Sequence, residues 1–499
     1  MNLFITKPIA PSPHVDAGEP VEGSLEGEAS LQRVLTARHL VLLGIGAVIG
    51  AGIFVLTGQA AAEHAGPAIM LSFVIAGSAC ALAGLCYAEF AAMMPVSGSA
   101  YSYSYATLGE GVAWFIGWNL VLEYLFAAST VAVGWSGYMN SLLGSIGAWA
   151  GLSLALPEAL ASAPLTVSQG RIVTTGAIIN LPAVLIVIAI AALCYRGIKQ
   201  SATANAVIVA IKLAVILLFI AFSLQFVDPA NWEPFIPPEE DGRFGFQGVA
   251  RAAAIVFFAY IGFDAVSTAA QETINPQRNM PIGILGSLVV CTVLYIAVCA
   301  VLTGMVPFYE LGTAQPVATA LEFYPTLLWL KTLVELGAVA GLSSVILVMI
   351  MGQSRIFYAM SSDGLIPPAF SKVHPKYRTP AFGTVFVGVA ATILAGLLPI
   401  GVLGDLVAMG TLLAFATVCI GVLVLRYTRP ELPRAFRVPI AIVICPLGAA
   451  ACLYLFVQTF ADNWHWMSGW IIIGILIYLF YGAKRSILQK AQAQPAEAG

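Results

Sequence analysis

A chain of 499 residues that is 60% hydrophobic and only 9% charged is not a soluble globular protein, in which charged residues make up about a quarter. The apolar residues come in long continuous runs rather than in alternation, which excludes a transmembrane β-barrel and points to a bundle of membrane-crossing helices. A net charge of −3 says little by itself; the placement of the positive charges says more.

Residues 1–36 hold prolines, glycines and acids without a sustained apolar period. They read as a disordered cytoplasmic tail with a short amphipathic turn at 31–38, and they carry no signal-peptide pattern. Apolar windows of about 20 residues then recur, each long enough to span a bilayer. The expected spans are 39–62, 68–94, 111–140, 178–195, 202–226, 246–269, 281–304, 327–353, 380–398, 403–426, 437–460 and 467–484. With both ends inside, Lys and Arg concentrate on the inner loops and tails, among them Arg196, Lys199, Arg355, Lys372, Lys376, Arg378, Arg426 and Arg434. The outer loops hold Arg171, Arg243, Arg251 and Lys331. The eight cysteines sit in or beside apolar segments with no metal-ligand spacing, as small packing residues do.

The first span carries glycines at 44, 46, 50 and 52. Each costs a helix roughly 1 kcal/mol relative to alanine. The run reads either as close helix packing or as a broken helix whose freed backbone groups face a polar ligand. A second break is expected in the sixth span, where Phe257-Phe258-Ala259-Tyr260-Ile261-Gly262-Phe263-Asp264 joins a glycine to an ionisable residue in mid-membrane. The two lie five spans apart in the series, and an odd repeat length inserts the second copy upside down. Interrupted segments at corresponding places in two halves mark a transporter's binding site, which favours the ligand reading.

Ionisable residues inside the membrane are functional candidates because burial there costs at least about 2.5–3.5 kcal/mol. Lys212, in mid-span, reads as a proton carrier or as a fixed tether between the first and fifth spans. Glu123 reads as an acceptor for a cationic group or for Lys212, or as a protonated buried acid. Asp264 reads chiefly as a cap on the half-helix after the second break, and otherwise as a direct contact for a cationic side chain. Glu89 reads as a gate or packing residue, Glu272 and Arg278 as a cytoplasmic gate, and Glu335 as an acid reaching water. Ser343 and Ser344 read as serines bonded to their own helix.

The segments 44–54, 257–264, 272–278 (Glu-Thr-Ile-Asn-Pro-Gln-Arg) and 352–364 (Gly-Gln-Ser-Arg-Ile-Phe-Tyr-Ala-Met-Ser-Ser-Asp-Gly) together resemble the amino acid–polyamine–organocation superfamily. Within it the chain is most similar to the bacterial branch of the cationic amino acid transporter family, from about residue 31 to 485. The resemblance implies an all-α polytopic membrane protein with a LeuT-like fold of twelve transmembrane helices. It divides the chain into a cytoplasmic tail at 1–36, a first five-helix repeat at 37–226 and an inverted second repeat at 227–426. Two peripheral helices at 427–485 and a cytoplasmic tail at 486–499 follow. It also implies that Gly50, Ala51 and Gly52 offer N–H groups to a substrate carboxylate, with Val48 lining the pocket. The carbonyls of Phe258, Ala259 and Ile261 would take the α-ammonium, Phe258 shielding the site. Val348 and Met349 would form the side-chain subsite. Lys212 would stand where sodium-coupled relatives bind sodium, near Ser343 or Ser344, which argues for proton coupling, with Glu123 and Asp264 as acids near the pocket. Ala51 departs from the serine or threonine of many relatives, and a bulky Met349 would favour small side chains over arginine.

The expectation is a permease of the cytoplasmic membrane, both termini inside, importing small neutral or cationic L-amino acids with protons. Amino acid/amine exchange is the alternative, and a non-transporting amino acid sensor a distant one. No cofactor, metal, sodium site or nucleic acid partner is expected. No nucleophile elbow, phosphate loop or metal cluster suggests an enzyme, and the G-x-G at 44–46 lacks a βαβ unit around it.

Overall fold

A computed structural model describes residues 3–7, 35–94, 99–168, 171–197, 202–240 and 243–493. The disorder expected of the N-terminal tail falls on residues largely outside these, as do the first half of the turn at 31–38 and the end of the C-terminal tail. Nine helical stretches among the described residues are long and apolar enough to cross a membrane, and three shorter apolar helices accompany them.

In chain order the apolar helices are α1 (Ala37–Val48), α2 (Ile69–Met93), α3 (Glu110–Ala150), α4 (Leu181–Arg196), α5 (Ala202–Ser223) and α6 (Gly245–Val256). They continue as α7 (Pro276–Met305), α8 (Leu328–Ser362), α9 (Ala381–Leu397), α10 (Ile400–Thr428), α11 (Ala441–Ala461) and α12 (Asn463–Ala491). Local chemistry sets several ends. Asn180 caps α4 by accepting from Ala183 N at 3.3 Å, and Pro276 opens α7 where a missing N–H costs nothing. α3 runs ten residues beyond its expected end, to a left-handed Gly151. A hairpin pairing Leu165–Ser168 with Arg171–Thr174 follows it, which no apolar window announced. α11 and α12 meet at a kink at Asn463.

Both expected breaks are present. α1 stops at Val48, Ile49 is extended (φ −72°, ψ 98°), and the chain restarts as a π-helical turn at Gly52–Leu56 before running on towards α2. α6 tightens into a 3-10 turn at Phe257–Tyr260 and opens at Ile261 (ψ 136°). It then turns through Gly262, whose φ of +112° a side chain would strain.

The two ends of the described chain share one face. Residues 3–7 run beside the start of α3: Lys7 N donates to Tyr105 O, Glu110 N to Ile5 O and Gly111 N to Leu3 O. Lys7 also pairs with Asp363 beyond α8 at 2.7 Å, and Ile487 N donates to the Asp363 carbonyl. Glu110, buried there, accepts from Tyr105, Tyr478, Ser486 and Gln489.

Candidate functional site

The two breaks touch. A Cβ on Gly52 would lie 2.3 Å from the Ala259 Cα, so only glycine lets the first break meet the second. The half-helix starting at Gly52 opens beside this contact; the first N–H groups of a helix have few acceptors within it, and of these Phe54 N reaches back to Gly50 O at 3.4 Å. The second break supplies carbonyls. Phe258 O already accepts from Ile261 N at 3.1 Å, and Ala259 O accepts from Tyr295 Oη at 2.8 Å; each keeps a second lone pair. Val48, Ala51, Phe258, Ala259 and Ile261 are all buried around this contact.

Tyr295, on α7, was not singled out by the sequence. Its hydroxyl also reaches Val48 O at 2.9 Å, so one buried group bridges a carbonyl from each break. Nothing in the pattern separates it from the other sixteen tyrosines, since it looks like one more aromatic in an apolar run.

Lys212 reaches from α5 to the end of α1. Its Nζ donates to Gly46 O at 2.8 Å and Ile49 O at 3.0 Å, the carbonyls that the break leaves without helical partners. The side chain is 1% exposed, and its stem lies against Gly341, where a Cβ would meet the lysine Cε at 2.9 Å. Ser343 and Ser344 bond the carbonyls of Val339 and Gly341 on their own helix, as the packing reading has it.

Glu123 lies not at Lys212 but beside Asp264 and Thr411, in a π-helical turn at Leu122–Phe126. Such turns recur at functional sites. Both carboxylates are fully buried, and Tyr124 Oη donates to Asp264 Oδ2 at 2.7 Å. The capping role expected of Asp264 is corrected: it stands at the N-cap of Ala265–Thr268, but its side chain makes no capping bond. Capping needs a reach back to N2 or N3, and the Tyr124 hydroxyl draws the carboxylate elsewhere.

α8 presents one face to all of this. Gly341 packs on Lys212, Gly352 on the Tyr124 ring, and Val345 lies 3.2 Å from where a Cβ of Gly50 would stand. Positions 341, 345, 348 and 352 share that face at 3.6 residues per turn. Val348 therefore lies in line with the breaks, whereas buried Met349 is one step round the helix. Val345 is the contact the sequence register passed over.

Three outlying acids differ from expectation or sharpen it. Glu89 ties α2 to the far end of α10: Arg426 donates to both its oxygens, Arg434 lies at 3.3 Å, and Val438 N donates to it at 2.7 Å. Glu272 and Arg278 form no ion pair among the described residues; Glu272 instead accepts Leu35 N through its backbone carbonyl, clipping the chain before α1 to the segment after the second break. Glu335 does not reach water; its side chain is 0% exposed beside Ser141 and Lys331.

An amino acid permease family model matches residues 35–481, which covers every group just described except the N-terminal strap and the last Glu110 donors. The chain is 48% identical to a methylthioribose transporter of Bacillus subtilis over 92% of its length and 96% of that protein's. It is also 48% identical to a branched-chain amino acid permease of Bacillus subtilis, over 93% of this chain and 96% of that one. A vacuolar cationic amino acid transporter of Arabidopsis thaliana is more distant, at 36% over 81% of this chain and 65% of that one. These relatives are transporters and permeases, not enzymes. This chain belongs to the amino acid permease family of membrane transport proteins.

Proposed function

We propose that the protein imports small neutral L-amino acids, branched-chain ones foremost, across the cytoplasmic membrane by proton symport. The observation that carries the reading is the contact of the two breaks, with helix-opening N–H groups on one side and carbonyls on the other. That pair suits an α-carboxylate and an α-ammonium without burying a fixed charge. The surroundings are apolar: Val48 and Phe258 belong to the two breaks and are buried, and Val345 of α8 packs against Gly50. No described acid other than the Asp264–Glu123 pair lies there to select a cationic side chain, and one relative is named for branched-chain substrates.

Lys212 supports the proton half of the proposal. It occupies two carbonyls of the first break as a bound cation would, and unlike a metal ion it can lose its charge by giving up a proton. When it does, the neutral amine still has two N–H groups but holds Gly46 O and Ile49 O without charge assistance, which loosens the end of α1. Asp264 and Glu123 lie buried beside each other, and two charged carboxylates there would repel.

The proposal includes the twelve-span LeuT-like arrangement, repeats at 37–226 and 227–426, and cytoplasmic termini. The breaks at equivalent places of the two halves, the shared face of the chain ends and the Lys/Arg asymmetry support it. The test is leucine uptake into proteoliposomes. Acidifying the outside is expected to raise uptake, and Lys212→Ala to abolish that rise. Sodium-driven uptake indifferent to pH would overturn the coupling, and uptake that demands preloaded substrate would make the protein an exchanger.

A further inference from the structure

Beyond the first break the half-helix runs up against a short helix, Pro316–Glu322, in the connection between α7 and α8. Three contacts seat that connection. A Cβ on Gly58 would stand 2.2 Å from the Pro316 Cβ, and one on Gly137 of α3 would stand 2.7 Å from the Ala314 Cβ. Gln59 Nε2 donates to Thr313 O at 3.2 Å. The half-helix, α3 and the connection therefore converge, and Tyr138 of α3 stands where they meet.

Tyr138 is fully buried, and its ring packs edge-on against Phe54 with centroids 5.9 Å apart. Its hydroxyl donates to Phe54 O at 2.6 Å. That carbonyl belongs to the π-helical turn Gly52–Leu56, where the usual helical ladder is widened and hydroxyls serve the carbonyls; Thr57 Oγ1 donates to Ile53 O at 2.7 Å in the same turn. The Tyr138 oxygen also has lone pairs to offer, and the backbone N–H groups of Val317 and Ala318 interact with it. These are the second and third residues of the short helix, whose N-cap residue Gln315 makes no side-chain capping bond. One hydroxyl from α3 thus does for that helix what a serine or threonine at the N-cap would do, while its proton is committed to the half-helix. Val317 and Ala318 are buried too, so bulk water does not serve these groups.

We propose that Tyr138 is a positioning residue for transport: its hydroxyl latches the half-helix after the first break to the helix Pro316–Glu322, so that the two dock and part together. The hydroxyl serves an acceptor on one element and donors on the other, and losing either bond leaves a buried polar group unserved. An arrangement with one element docked and the other lifted therefore costs more than one with both docked, or one in which water reaches both. The proposal deepens the transport reading, on which its uptake measurement rests. It adds a residue that acts on closure from outside the contact of the two breaks.

The test is Tyr138→Phe, which keeps the ring against Phe54 and removes only the hydroxyl. Amide hydrogen exchange of the purified full-length protein, without substrate, is expected to rise about tenfold in residues 316–322 and 54–60 and to stay as it was in α10 and α11. In proteoliposomes the Vmax of leucine uptake is expected to fall about tenfold with KM little changed, since substrate still meets the breaks while closure fails. A tyrosine that only filled the core would tolerate phenylalanine, so unchanged exchange and uptake would overturn the latch. Exchange that rises throughout the molecule, or in only one of the two segments, would overturn it as well. If Tyr138→Phe fails to fold, the unaltered protein decides. Residue-resolved exchange is expected to find the Val317 and Ala318 amides protected, although a helix gives its first N–H groups no acceptor, and their free exchange would sink the proposal. Exchange needs no substrate, so a protein that takes up no leucine fails the transport reading and not the latch.

Discussion

Glycine does two separate jobs within nine residues of the first span. Gly44 serves packing: a Cβ there would meet the Ser287 Oγ at 2.5 Å and its Cβ at 2.6 Å. Gly44→Ala is expected to cost about 1–3 kcal/mol by overpacking, seen as a lower Tm, with the KM for leucine unchanged. Gly52 serves the site, and Gly52→Ala, which drives a methyl into the Ala259 backbone, is expected to abolish the rise in Tm that leucine produces. The sequence offered packing and breakage as rival readings of one run, and the molecule uses both. Glycines and a mid-span lysine were legible because each is costly in a membrane helix and therefore stands out. Tyr295 was not, because its hydroxyl becomes informative only when two remote carbonyls converge on it. Tyr295→Phe removes a bond worth about 1 kcal/mol, so the fold is expected to hold while the KM for leucine rises. Kinetics alongside a melting curve separate the two effects.

At the scale of the element, what lipid demands was readable and what neighbouring helices demand was not. Apolar windows located the helices because every span must satisfy its backbone internally. They overstated α4 and α9 slightly, at 16 and 17 residues, and the first window, 39–62, ran from α1 across the break into the half-helix beyond it. They did not fix the rotation of α8, which follows from Gly341, Val345 and Gly352 meeting three different partners. Val348→Met is accordingly expected to shift preference from leucine toward alanine, whereas Met349→Ala leaves selectivity as it was; competition assays in proteoliposomes distinguish them. Glu89 shows the same limit. Its place near the end of α2 was visible, but not the two arginines that arrive from beyond α10. Removing it strands charges, Arg434 being only 5% exposed, so Glu89→Ala is expected to destabilise by about 3–5 kcal/mol in thermal unfolding.

For the whole molecule, the face that carries both ends is held by backbone pairing and by ion pairs between remote segments, and Glu272 contributes to it through its backbone carbonyl. The strap at 3–7, the Leu35–Thr273 bridge and the Glu89 cluster each join segments remote in sequence, and none leaves a local pattern that a window could detect. Deleting residues 1–7 is expected to raise amide hydrogen exchange across the Ser99–Thr107 helix, whose Tyr105 carbonyl loses its Lys7 donor. In the sequence Glu110 resembles an ordinary first-turn acid, favourable beside a helix N-terminus. Its last two donors, Ser486 and Gln489, lie 376 and 379 residues further on. Of its four donors only Tyr105 is close in sequence, so the carboxyl stays mostly unserved until residues 478–489 have been made. A chain cut short of Ser486 leaves the buried carboxyl with only its two tyrosine donors, and it is expected to unfold at a lower Tm than the full chain.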